Sequence, residues 1–339
     1  MRSATGRGDA SALLAGMQQP LQDLFRTERE VRIIASSATG LMEAAIRSGV
    51  QERVLVVIGG GYGERFAQVA EACGKEVVRA MVPLGRTLEP EHLMQFMDGP
   101  EVDAVALVHA ETSTGALASM AELARVVRSR KNVHLLVDAA GTLGGSPVEA
   151  DLWELDFVFA GSQKAMALPP GLAFGVASSR LLERAAKLGG RGRYLDLVQL
   201  WRPGSEPACS TSLLPQYHAL DTQLQRITQA GGAEPRWARH HEMLRLVEGW
   251  VLLRPGFEFL APEGRRAWTM SSIRLPGGLS SEHVVAAMGR RGWRIDQGHG
   301  ESGPTCIRIG HMGDVTPVNL EMLLADLGQV VAPNLSSLM

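Results

Sequence analysis

The amino-acid sequence predicts an α/β fold built on a mostly parallel, layered sheet. Short uninterrupted apolar runs recur through its first two thirds, amphipathic stretches of helical spacing separate them, and residues able to do chemistry follow the ends of the runs. A strand buried on both faces reads as a continuous apolar run, and a helix between two such strands makes a parallel crossover. In an open sheet of this kind a ligand lies beyond the carboxyl ends of the strands.

Taken in order, residues 54–58 (Val-Leu-Val-Val-Ile) form the first run, Gly59, Gly60 and Gly61 break it, and 62–73 has helical spacing. A strand is expected over 77–82, a helix over 89–97, a strand over 104–109 and a helix over 120–130. Residues 133–137 read as a strand ending at Asp138, 157–160 as one ending just before Lys164, and 172–177 as another. Gly231, Gly232 and Pro235 then mark a break. Beyond it a long helix rich in Arg and His is expected over 236–252, weaker strands over 272–275 and 307–309, and helices over 281–290 and 317–331. The expected organisation is a divergent, flexible segment (1–24), a large domain (25–232) and a small C-terminal α+β domain (233–339).

Composition narrows the function. Hydrophobic residues make up 45% and charged residues 21% of the 339, and a net charge of −2 favours neither a nucleic-acid backbone nor an anionic membrane. Cys73, Cys209 and Cys306 are far apart and lack a CxxC pair, which argues against a disulfide framework or a metal site and suits a reducing cytoplasm. The first ten residues are polar and glycine-rich, without the apolar core of a signal peptide. No run is long and apolar enough to predict a transmembrane helix.

The segment richest in chemistry holds Asp138 at one strand end and Gly161-Ser162-Gln163-Lys164 at the next, followed by a Pro169-Pro170-Gly171 turn. Alone, Lys164 reads as a surface lysine and Asp138 as a helix N-cap. Together they read as a lysine that forms a Schiff base with pyridoxal 5'-phosphate (PLP) and a carboxylate that keeps the pyridine nitrogen protonated. Ser36-Ser37-Ala38-Thr39-Gly40 reads as a helix N-terminus, either an ordinary Ser/Thr cap or an anion site. Tyr62 lies among glycines that suggest a dinucleotide fingerprint, but Glu64 stands where the third glycine is required. His109-Ala110-Glu111-Thr112-Ser113-Thr114-Gly115 is a polar loop after a strand, in which His109 is either a buried core histidine or part of a site. Arg308 alternates with Ile307 and Ile309, so it points away from them, either into a salt bridge or toward a carboxylate ligand.

The run VDAAGTLGGSPVEADLWELDFVFAGSQKAMALPPGLAF resembles the class V aminotransferases of PLP fold type I, and among them the alanine–glyoxylate and serine–glyoxylate aminotransferases. The resemblance spans about 25–331 and is strongest over 35–177. It implies that Lys164 carries PLP, that Asp138 partners the pyridinium nitrogen, and that Ala140 packs on the ring. It further implies Gln163, Ser37, Ala38 and Thr39 at the phosphate, Tyr62 stacked on the pyridine, Thr112 and Ser113 along the cofactor's other edge, and Arg308 on the substrate carboxylate. Thr211 would reach the phosphate across a homodimer whose active sites lie at the subunit interface. The sequence departs from the family in two places. Ala208 replaces a tyrosine in that cross-subunit segment, and the opening Gly-Pro-Gly arm is absent. The implied activity is transfer of an amino group from a small amino acid, of alanine or serine type, to an oxo acid such as glyoxylate or pyruvate. The altered start keeps open a lyase, decarboxylase or aldol-type PLP reaction on a larger amino substrate. A degenerate homologue acting as an interaction module is a third reading, which Lys164, Asp138 and Gln163 argue against.

Overall fold

The computed structural model describes residues 7–202 and 213–335. It opens on two helices, α1 (Arg7–Gly16) and α2 (Gln18–Phe25), and then alternates strand and helix. In order come β1 (Arg32–Ala35), α3 (Ala38–Gly49), β2 (Arg53–Ile58), α4 (Gly61–Ala72), β3 (Glu76–Met81), α5 (Pro90–Met97) and β4 (Ala104–Val108). A small ribbon of β5 (Ala110–Glu111) and β6 (Ala116–Leu117) precedes α6 (Met120–Arg128), β7 (His134–Asp138), β8 (Phe157–Gly161) and β9 (Leu172–Ala177). Helices α7 (Ser179–Lys187), α8 (Leu197–Leu200) and α9 (Leu214–Gln229) complete this part.

The seven-stranded sheet has the order β1-β9-β8-β7-β4-β2-β3. All its strands run parallel except β9, which is antiparallel to both neighbours. The predicted α/β class and mostly parallel sheet are therefore borne out. Side chains alternate between two apolar layers. Leu135, Val137, Val158 and Phe174 face one layer, covered by α2, α5, α6 and α9. Leu136, Phe157, Phe159 and Ala173 face the other, under α3, α4, α7 and α8. Phe157, Phe159 and Phe174 are fully buried, each contributing roughly 1.5–3 kcal/mol relative to exposure.

Residues 1–24 are expected to form a divergent, flexible segment, and its described part begins at Arg7. From Arg7 onward it is helical, and Met17, Leu21, Leu24 and Phe25 are at most 1% exposed. Their spacing of three and four gives α2 an apolar stripe that joins the core beneath the sheet.

After α9, α10 (Ala233–Leu252) begins three residues earlier than predicted, with Pro235 inside its first turn. Proline is tolerated there because first-turn N–H groups have no intrahelical partner. A second, antiparallel sheet of order β10-β11-β13-β12 follows, from β10 (Glu258–Phe259), β11 (Met270–Arg274), β12 (Asp296–Gln297) and β13 (Cys306–Gly310). With α10, α11 (Ser281–Arg290) and α12 (Pro317–Leu335) it encloses its own core around Met243, Ile273, Met288, Ile307 and Leu327.

Candidate active site

The parallel strands bring their carboxyl ends to one edge of the large sheet. Val108 pairs with Asp138, Asp138 with Phe159, and Gly161 with Ala173. Ser36, just past β1, donates its N–H to Gly171 O beside the start of β9. The turns after β1, β2, β4, β7 and β8 thus converge.

Lys164 lies in the turn after β8 and is half-buried. Its Nζ donates to Thr112 Oγ1 at 3.1 Å and stands 4.2 Å from the centre of the Tyr62 ring. Tyr62 is the second residue of α4, so a helix start delivers the ring to the amine. Asp138, at the end of β7, is buried, and its Oδ1 accepts the Ala140 N–H at 2.7 Å. Burial pushes its carboxyl above the ordinary aspartate range, opposed by the Lys164 ammonium, the Ala140 N–H and Arg65, while Glu111 adds to the rise. A buried acid that feels an amine of opposite charge is the kind of pair found at functional sites.

Arg308 reaches the same place from the second sheet. Ile307 and Ile309 are fully buried, and the alternating Arg308 crosses to the large sheet, where Nη1 donates to Thr112 O at 3.3 Å. Its Nε donates to Gln297 O at 2.8 Å, and Asp296 Oδ2 is 3.7 Å from Nη2. Thr112 therefore links the amine, through its hydroxyl, to the guanidinium, through its carbonyl.

Ser37 caps α3, its Oγ accepting the Gly40 N–H at 3.3 Å. Ala38 and Thr39 occupy the first turn, where N–H groups lack intrahelical acceptors and favour an anion. Gln163 is exposed and folds back over Gly161, where a Cβ would come within 2.6 Å of its Oε1. Ala140 is buried beside Asp138. Ala208, Cys209, Ser210 and Thr211 lie outside the described residues.

The Ser113 hydroxyl is taken up by Glu111 and Gly61. Its Oγ donates to Glu111 Oε1 at 2.6 Å and accepts the Gly61 N–H at 3.0 Å. Glu111, which sequence reasoning passed over, is the residue that organises this corner. Its carboxylate also accepts the N–H groups of Tyr62 (3.1 Å), Gly63 (3.0 Å) and Ser113 (3.1 Å). No sequence signal marked it, since the helix start whose N–H groups it accepts lies 48 and 49 positions away, although a carboxylate is favoured at such a start. Gly60 leaves it room: a Cβ there would fall 2.3 Å from Ser113 Oγ and 2.5 Å from Glu111 Cγ. Exchanging Glu111 for Gln puts an amide NH2 among these donors. Denaturant unfolding is expected to show a loss of about 2–3 kcal/mol, together with weaker retention of any ligand resting on Tyr62.

His109 takes the core reading. Its ring is buried edge-on against Trp153, 5.3 Å between centroids, and burial holds it down to about 3. It stays neutral at physiological pH.

Residues 14–315 match the family model for aminotransferase class-V. An uncharacterised aminotransferase of Methanocaldococcus jannaschii is 32% identical over 314 residues, 90% of this chain and 80% of that protein. A 2-aminoethylphosphonate–pyruvate transaminase of Syntrophobacter fumaroxidans is 29% identical, over 86% of this chain and 80% of its own. The crystal structure of an alanine–glyoxylate aminotransferase from Nostoc superposes with a TM-score of 0.88 at 26% identity, covering 94% of this chain and 86% of that one.

Proposed function

The chain belongs to the class-V aminotransferases, and from that premise we propose that it uses pyridoxal 5'-phosphate, held on Lys164, to move an amino group from a small amino acid of alanine or serine type to an oxo acid such as glyoxylate or pyruvate. The observation that carries this reading is the convergence on Thr112 of the Lys164 amine (3.1 Å) and the Arg308 guanidinium (3.3 Å). An amine for the chemistry and a fork for a carboxylate stand one residue apart. Similarity to the Nostoc alanine–glyoxylate enzyme and to a pyruvate-using transaminase supports small substrates.

The residues present fit the cofactor. A half-buried amine stands over a flat ring, a buried acid feels its charge, and a helix start follows β1 on the same sheet edge. When bound, the cofactor supplies an electron sink that acidifies the substrate's Cα–H. In the proposed reaction Lys164 Nζ, once released, takes that proton and returns it. Thr112 Oγ1 holds the amine, Asp138 keeps a proton on the ring nitrogen, and Ala38 and Thr39 offer N–H groups to the phosphate, to which the family resemblance also assigns Gln163. Arg308 holds the substrate carboxylate and fixes which face of Cα meets the amine. Arg308→Gln is expected to raise KM for an amino-acid donor by about 100-fold, as expected for losing a charge-assisted pair of hydrogen bonds. The adduct with PLP should be unaffected, which absorbance and steady-state kinetics would check.

A half-reaction tests the activity. The PLP-loaded protein is mixed with single amino donors and no acceptor, and pyridoxamine phosphate is sought by mass. Its formation with alanine or serine supports the reading. Loss of CO2 or of a side-chain fragment without pyridoxamine phosphate overturns it in favour of a lyase, decarboxylase or aldol-type reaction. A cytoplasmic homodimer, with the segment around Thr211 reaching the neighbouring subunit, completes the proposal and comes from the family resemblance; light scattering of the full chain checks it. Among the described residues no helix is long and apolar enough to cross a membrane.

A further inference from the structure

Arg236, in the first turn of α10, is 8% exposed. Its Nε donates to Gly144 O at 3.0 Å and its Nη2 to Ala165 O at 2.7 Å. Nη1 pairs with Asp314 Oδ1 at 3.1 Å. Ala165 directly follows Lys164. Asp314 follows β13 and is also held by Gln223 Nε2 (3.0 Å) and Arg226 Nη1 (3.2 Å).

The turn that carries Lys164 is strained. Ala167 N donates back to Lys164 O at 2.9 Å, and Ala167 has φ 57. A residue with a Cβ adopts that left-handed conformation at a cost of roughly 1–2 kcal/mol, and such strain persists only where the surroundings over-determine it. Three contacts do so here. Arg236 grips Ala165 O. Gly144 approaches so closely that a Cβ would lie 2.9 Å from Met166 Sδ. Gly313, next to Asp314, would place a Cβ 3.0 Å from Ala167 Cβ. Two of these three, Arg236 and Gly313, belong to the body that surrounds the second sheet.

We propose that Arg236 is a positioning residue for Lys164: with Asp314 and Gly313 it fixes the turn that aims the amine, and so makes that aim depend on where the second body sits. A plain salt bridge inside the second body would need Asp314 alone. Two of the three arms of Arg236 are instead spent on main-chain carbonyls of turns that hold site residues, a geometry suited to a planar fork. The inference rests on Lys164 being the reactive amine.

The test uses the full chain and the variants Arg236→Gln, Arg236→Lys and Asp314→Asn. The rate of adduct formation with added PLP is followed against pH, the adduct is located at Lys164 by borohydride reduction and peptide mass, and rates are normalised to folded protein by near-UV circular dichroism. Arg236→Gln is expected to slow the reaction about tenfold or more, since misplacement of a reacting group by a fraction of an ångström costs that much, and to move the pH midpoint by about 0.5 unit. Asp314→Asn should move both the same way by less, and Arg236→Lys should recover part of the rate. An unchanged rate and midpoint in folded Arg236→Gln overturns the proposal. Should that variant not fold, Asp314→Asn decides: a displaced profile supports the proposal and an unchanged one overturns it. A parent chain that forms no adduct overturns the proposed function instead. The aim of the amine is then read from the pH profile of Lys164 labelling by trinitrobenzenesulfonate, where a midpoint shared by parent and variants overturns this inference and a displaced one supports it.

Discussion

Lys164→Ala is expected to lower turnover by about 10⁴-fold or more and to abolish the borohydride-reducible adduct with PLP, because the proposed function makes one group both covalent anchor and proton carrier. No other lysine can stand in. The chain holds Lys75, Lys131, Lys164 and Lys187; Lys131 and Lys187 are exposed, and Lys75 donates to Gln51 O at 3.0 Å. Only Lys164 meets Thr112 and Tyr62. The substitution also removes the ammonium that does most to hold the Asp138 carboxyl down, so that acid shifts further up. Peptide mass after reduction reads the result directly. An adduct surviving in Lys164→Ala would sink the assignment of Lys164.

Asp138→Asn should reduce turnover by about 10²–10⁴-fold while making the cofactor-free chain more stable at neutral pH. The first effect is the loss of the negative charge assigned to the ring nitrogen. The second follows from the direction of the shift. Burial raises the folded-state pKa of Asp138 above that of the unfolded chain, so folding favours the protonated acid. The stabilising contribution of that preference is full below the unfolded aspartate pKa and is lost as pH rises through the folded value. At neutral pH the wild-type chain has lost it, whereas a neutral amide has no ionisation to oppose and its oxygen still accepts the Ala140 N–H. Melting curves of both proteins from pH 4 to 8, without cofactor, should diverge upward, Asp138→Asn having the higher Tm at the alkaline end. Parallel curves would show that Asp138 carries no such penalty.

How legible these features were follows from what each depends on. The central strands β2, β4, β7, β8 and β9 were readable because burial on both faces leaves no polar position to interrupt the run. The reversed direction of β9 was not, since composition is the same whichever way a strand runs. β1 (Arg32–Ala35) was missed because four residues that open on an arginine give too little period to recognise. The helices at the start of the chain were hidden behind a polar, glycine-rich opening, although Met17, Leu21, Leu24 and Phe25 carried the spacing. At the site, Lys164, Asp138, Tyr62, Thr112 and Arg308 were nameable from motif and strand-end position. Glu111 and Arg236 were not, because their partners are mostly main-chain groups, which sequence does not mark. Ser113 looked equivalent to Thr112 and is not: the Thr112 hydroxyl meets the amine, and that of Ser113 was claimed by Glu111 and Gly61.

The reversal of β9 has a consequence for how the chain matures. Elsewhere in the large sheet, strands laid side by side in the same direction need long crossovers between them. β8 and β9 instead close on each other locally, Ser162 N donating to Leu172 O at 3.0 Å, with Lys164 in the link between them. Contacts close in sequence form sooner than distant ones. The amine is therefore presented early, whereas Thr112 is 52 positions away and the Arg236 grip on Ala165 spans 71. A chain in which only β8 and β9 had paired would therefore lack the Thr112 and Arg236 contacts that place the amine in the complete fold.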